Sequence, residues 1–127
     1  LLPPDFTLGN ESYLKRFIEV MGGHANPGAI GRYFAAQSIW DDTMAWRIAQ
    51  IREQYPQAVI VVVVGEFHTQ YGGGLGDRLR ARGVESVITV SQVNTTGLTE
   101  VEIQAAISPH VEYGPRADWI WAAPAVE

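Results

Sequence analysis

Residues 58–64 read Ala58-Val59-Ile60-Val61-Val62-Val63-Val64 and run directly into Gly65-Glu66-Phe67-His68-Thr69-Gln70-Tyr71. Branching at Cβ stiffens χ1 and favours extended backbone, so this run predicts a strand. It has no polar residue on either face, as expected of a central parallel strand covered by helices on both sides. Upstream, Tyr55-Pro56 stops a long helix, because the residue before proline is pushed out of helical space. That helix starts at Asn26-Pro27, a cap followed by proline at the first helical position. Ile30, Tyr33, Phe34, Gln37, Trp40, Met44, Ile48 and Ile51 recur along it at helical spacing, to about Gln54. At 1.5 Å per residue it would be roughly 40 Å long, so a bend or break is expected near Gly28 or Gly31. An earlier helix is capped by Asn10 and runs to about Met21, with Leu14, Phe17, Ile18 and Met21 on one face.

Downstream of the valines the expected order is a loop over 65–74, a short helix over 75–82 closed by Gly83, and a strand over 86–90. Thr99 and Glu102 form a capping box for a helix to about Ile107, and residues 117–122 make a third strand ended by Pro124. Strands alternating with helices give an α/β class: a small, mostly parallel sheet of about three strands packed by helices, with the long helix preceding the central strand.

The chain has 127 residues, 46% of them hydrophobic and 18% charged, with a formal net charge of −5. That length suits one domain with its own core. The acidic balance argues against a protein that tracks nucleic-acid phosphates. The absence of cysteine removes disulfides, zinc ribbons, iron–sulfur clusters and thiol catalysis from consideration. The longest apolar run is too short for a membrane-spanning helix, and no charged start followed by an apolar segment marks a signal peptide. The sequence begins Leu1-Leu2-Pro3-Pro4 without methionine, which reads as a processed product or a fragment of a longer protein.

In an open α/β sheet, ligands gather beyond the carboxyl ends of the strands. The valine strand delivers Glu66 and His68 there. If the extended conformation continues past Gly65, both side chains point to one side, a pairing suited to metal ligation or general acid–base work. The plainer reading is a carboxylate and an imidazole in a wet loop. On the long helix, Gln37 and Asp41 lie one turn apart, and Gln37 falls inside the apolar stripe, where it needs a polar partner. Its partner is expected to be His68. Asp42 falls nearer the solvent side. His24, in a glycine-rich linker, is a further candidate, while His110 reads as structural or exposed. Tyr71 enters because phenolate is an established axial ligand of ferric haem. The glycines at 72, 73, 74 and 76 lack the pattern of a phosphate loop, and Asp77 stands where such a loop needs a third glycine. They are read as allowing close approach of the backbone to a ligand, a helix or a partner. The four tryptophans read as core.

The stretch Ala36-Gln37-Ser38-Ile39-Trp40-Asp41-Asp42-Thr43-Met44-Ala45, followed by Gly65-Glu66-Phe67-His68 and Tyr71-Gly72-Gly73-Gly74-Leu75-Gly76-Asp77-Arg78-Leu79, resembles the ChaN-like family. This is the haem-binding-uptake domain of the Tiki superfamily. The similarity runs from about Met21 to Arg82, His24 included, and more loosely to residues 117–124. The resemblance implies an α/β domain of bacterial proteins, exported or membrane-anchored through a segment absent here, that serve haem or iron uptake. It also implies a tyrosine–haem link and dimerisation around haem. The wider superfamily includes metal-dependent hydrolases that use two G-x-x-H motifs. This chain carries one, Gly65 to His68, which looks like the second. The chain is therefore expected to be a single domain over 1–127 or the C-terminal half of a larger ChaN-like domain.

Two functions follow. One is a haem-binding or iron-uptake protein, with His68 or Tyr71 as ligand, His24, Gln37 and Asp41 around the cofactor, and Arg78 available for propionates. The alternative is a hydrolase in which Glu66 and His68 hold a divalent metal or activate water. The expected partners are haem or another small ligand, with no nucleic acid. A second copy or the missing N-terminal half should cover the sheet, through Tyr33, Trp46, Trp119 or Trp121.

Overall fold

A computed structural model describes residues 2–22 and 26–126. Helix α1 (Glu11–Met21) begins at Asn10, whose side chain accepts from the Tyr13 N–H. Its buried residues are Tyr13, Arg16 and Phe17; Leu14 and Met21 of the expected stripe pack on the core with Phe17, but Ile18 is exposed. A 3-10 turn (Pro27–Ala29), capped by Asn26, leads into α2 (Ile30–Gln54), so the helical run from Pro27 is broken next to Gly28 by a change from 3-10 to α winding. Helix α3 (Leu75–Ala81) packs across α2, and Gly83 at φ 79° ends it. Strand β1 (Val90–Asn94), helix α4 (Glu100–Ile107) and strand β2 (Trp119–Ala123) form a β-α-β unit with a parallel two-stranded sheet, Val90 opposite Trp119 and Gln92 opposite Trp121. The capping box of Thr99 and Glu102 is present. The class is α/β, as expected, but the sheet has two strands rather than three. Among the described residues no helix is long and apolar enough to cross a membrane.

Residues 58–64 are the main correction. They form no ladder with another strand among the described residues, and Val59, Val61 and Val63 are 90%, 80% and 93% exposed. Of the alternate positions, Ile60 and Val64 are half-buried and Val62 is 41% exposed, and Val64 packs on the cluster of Ala45, Leu75 and Leu79. The segment is thus covered only in part, and only on the face of Ile60 and Val64. Side-chain branching sets a preference for extended backbone, but a strand exists only where another backbone accepts its hydrogen bonds. The second strand also lies later than expected, at 90–94 instead of 86–90, because Ser91 and Val93 are the residues that turn inward.

The helix stripe holds only in part: Phe34, Met44 and Ile48 pack on the core, whereas Tyr33 and Ile51 are exposed. Phe34, Ser38, Asp41, Asp42 and Ala45 are the buried positions of α2, whereas Trp40 is 66% exposed. Asp42, expected in solvent, accepts two hydrogen bonds from the Arg82 guanidinium at 2.7 and 2.8 Å and so clamps α2 to the end of α3. Polar pairing therefore chose the inward face over apolar size. Trp119 and Trp121 are exposed too, on the same sheet face as Val90, so three of the four tryptophans lie outside the core.

Candidate functional site

After Gly65 the chain does not stay extended. It winds into two 3-10 turns, Glu66–His68, closed by His68 N–H to Gly65 O and Thr69 N–H to Glu66 O, both at 3.0 Å, and Gln70–Gly72, closed by Gly73 N–H to Gln70 O at 3.4 Å. With three residues per turn, positions two apart lie about 240° apart around the axis. Glu66 and His68 consequently have different partners, against the expectation of a shared side.

His68 turns toward α2. Its Nδ1 lies 2.6 Å from Asp41 Oδ1, and Asp41 Oδ2 accepts from the Tyr13 hydroxyl at 2.8 Å. The Gln37 amide donates to the Tyr13 oxygen at 3.0 Å and stands 3.1 Å from His68 Nδ1. This fulfils the expectation that His68 lies within reach of Gln37 or Asp41. Asp41 is 1% exposed. Burial raises its carboxyl above the usual carboxylate range, with the hydrogen bonds from His68 and Tyr13 opposing that rise. The Tyr13 phenol is pushed up by burial and by the nearby Asp41 carboxylate, so it stays a neutral donor. A carboxylate only accepts, so Nδ1 must carry the proton it shares with Asp41. With Nδ1 a donor, the Gln37 amide nitrogen makes no hydrogen bond to it, and its hydrogen bond is the one to the Tyr13 oxygen. In the neutral ring Nε2 then carries the lone pair, and it makes no hydrogen bond among the described residues.

The glycines explain how the loop reaches this position. Gly74 has φ 57°, and a Cβ there would sit 2.6 Å from the His68 carbonyl oxygen and 3.0 Å from the Tyr13 hydroxyl. At Gly73 it would meet the Tyr13 ring at 3.0 Å. Of the approaches weighed from sequence, the structure uses the one to another helix: the loop lies flush on Tyr13. Tyr13 itself went unnoticed in the sequence. The available signal was a hydroxyl-bearing ring one turn before Phe17, which needs a polar partner when buried.

Glu66 faces the sheet. Its Oε1 accepts from the Ser91 hydroxyl and from Arg116 Nη1 at 2.9 Å. Burial acts to raise its pKa, but the hydrogen bonds and the Arg116 charge outweigh burial and hold the carboxyl below its ordinary value. A depressed folded pKa means stability that is present above the unfolded value and lost as pH falls through the folded one. Glu66→Gln should therefore lower stability at neutral pH, and its deficit against the parent should shrink below about pH 4. Urea unfolding at pH 7 and pH 3.5 checks this, and a constant deficit would contradict it.

Tyr71 stands on the second 3-10 turn with φ 59° and ψ 25°, a left-handed conformation that costs a non-glycine residue on the order of 1 kcal/mol or more. Its N–H donates to Arg116 O at 2.8 Å, and its ring packs on Tyr113 and His110. Its hydroxyl makes no hydrogen bond among the described residues. His110 is exposed, as expected. Arg78 is buried and engaged with Asp77 and Thr7, so it is not available for a ligand. His24 lies outside the described residues. Among the described residues no three metal-ligating side chains converge, and Glu66 and His68 have separate hydrogen-bond partners.

The arrangement thus brings together Tyr13, Gln37, Asp41 and His68 and sends Glu66 elsewhere. A neutral imidazole oriented by a buried carboxylate is suited to hold a metal or haem iron through Nε2, or to take a proton there. A family model described as haem-binding uptake, Tiki superfamily, ChaN matches residues 1–79, which include all four of these residues and Tyr71. No curated protein and no solved structure matches the chain.

Proposed function

Because this chain belongs to the haem-binding uptake family of the Tiki superfamily, ChaN, we propose that it binds haem on the 65–74 loop in the service of haem or iron uptake. The observation that carries this reading is the Asp41–His68 pair, which leaves Nε2 as an oriented nitrogen donor. Haem iron accepts imidazole nitrogen or phenolate as an axial ligand, so His68 and Tyr71 both suit it. Asp41 fixes the His68 ring and its tautomer, Tyr13 and Gln37 hold Asp41 in turn, and Gly74 sets the loop height. The cavity beside Tyr71 is about 50 Å³, so the macrocycle would lie across the loop rather than within it. An absorption titration with ferric haem tests the proposal. A saturable shift of the main band that His68→Ala or Tyr71→Phe abolishes is expected, and no saturable change would reject it.

The Asp41–His68 pair also supports a second reading, a divalent-metal hydrolase in which His68 holds the metal or serves as general base. Glu66, bound to Arg116 and Ser91, takes no part in that version. Metal analysis of the purified protein beside the haem titration separates the two.

The unpaired 58–64 segment and the exposed Trp119 and Trp121 favour assembly, either with a second copy or with the remainder of a larger domain. Light scattering at micromolar concentration should show association. Val61→Lys should abolish it while changing the unfolding free energy by less than about 0.5 kcal/mol, since Val61 makes few contacts within the chain. A monomeric parent protein would contradict self-association.

A further inference from the structure

A buried cation lies beside the same loop. Arg16 is 6% exposed. Its Nη1 donates to Gln70 O at 3.2 Å and its Nη2 to the Gln70 side-chain oxygen. The rings of Tyr71, Phe67 and Tyr113 lie 4.5, 4.8 and 5.9 Å from its central carbon. Among the described residues no carboxylate comes within 4.0 Å of it. Glu19, on the next turn of α1, acts on it only at longer range. Burial lowers its pKa, as desolvation of an incompletely paired cation must. An amide and three ring faces offset part of that cost, but buried charges are ordinarily matched by an opposite charge.

The space for such a charge is present. A cavity of about 50 Å³ adjoins the guanidinium, lined among others by Ser12, Gln70, Tyr71, Gly72 and Gly73. That volume holds a few water molecules, or one carboxylate group. The first turn of α1 opens onto it at Ser12, adding the positive end of an 11-residue helix. We infer that Arg16, Ser12 and the Gly72–Gly73 backbone form a carboxylate site that holds an acidic arm of the ligand bound on the loop. Naming that arm a haem propionate rests on the haem reading above. The site itself does not.

The test is a titration of the full chain with sodium propionate, and separately with inorganic phosphate, at constant ionic strength. The amide resonances of Ser12, Gly72 and Gly73 are followed. Saturable shifts confined to this region are expected, with affinity lowered at least tenfold in Arg16→Gln. Arg16 is buried, so Ser12→Glu serves as a second variant. It sits at an exposed first-turn position that tolerates an acid, and its carboxylate should compete for the site and remove the response. Absence of saturable shifts in the parent protein, or an unchanged response in Ser12→Glu, overturns the site. The source is decided by comparing haem with its dimethyl ester. Tenfold weaker binding of the ester supports a propionate, and equal binding overturns that assignment. If haem fails to bind while propionate still shifts the amides, the haem reading falls and the carboxylate site stands.

Discussion

Replacing Asp41 with asparagine is expected to weaken binding at His68 by about ten- to a hundredfold, the usual effect of removing the group that orients a ligating histidine. An asparagine can accept from the Tyr13 hydroxyl through its oxygen, but its amide then donates to His68 Nδ1. That moves the imidazole proton to Nε2 and occupies the lone pair a metal or haem iron would use. Folding should not suffer in step. The Asp41 carboxyl is raised by burial, so its charge is a cost to the folded state. That cost is present above the folded pKa and relieved as pH falls through it. A neutral side chain removes the cost, and stability at pH 7 should stay level or rise. A haem titration, a thermal melt and the ring-nitrogen shifts of His68 together check this. Unchanged affinity with the proton shown on Nε2 would mean that His68 is not the ligand, and Tyr71 would take its place.

Gly74→Ala should produce the largest loss of stability, about 3 kcal/mol, from two effects acting together. The backbone at φ 57° and ψ −127° is strained for any residue with a Cβ. That Cβ would also meet the His68 carbonyl oxygen at 2.6 Å, a backbone atom that cannot step aside alone. Gly72→Ala is the control. Gly72 also has positive φ, at 71°, but open space around it, so only the conformational cost of about 1 kcal/mol applies. Urea denaturation measures both. Gly74→Ala should also displace His68 from Asp41 and abolish ligand binding even where the variant remains folded. Equal effects at the two positions would show that the flush contact with Tyr13 does not hold the loop.

Several features were legible because they are local. Asn10 and the Thr99–Glu102 pair cap helices through bonds made within one turn, and Tyr55-Pro56 ends α2 by a clash between neighbours. That His68 lies within reach of Asp41 and Gln37 was legible too, since buried polar groups on a helix must find partners in whatever segment packs on it. The family resemblance rested on the same two stretches.

Other features depend on distant parts of the chain. The valine run specifies an extended backbone, but whether it becomes a strand depends on another backbone beside it, and within the described residues none is there. Glu66 parted from His68 because the loop wound into 3-10 turns and because Ser91 and Arg116, 25 and 50 residues away, offered better hydrogen bonds. Asp42 was buried because Arg82, 40 residues on, reached it with two nitrogens. Caps, breakers and periodicity are set by neighbours in the chain and can be read from sequence alone. Pairing of strands and of buried charges needs a partner brought close by folding, and only the tertiary structure says which partner arrives.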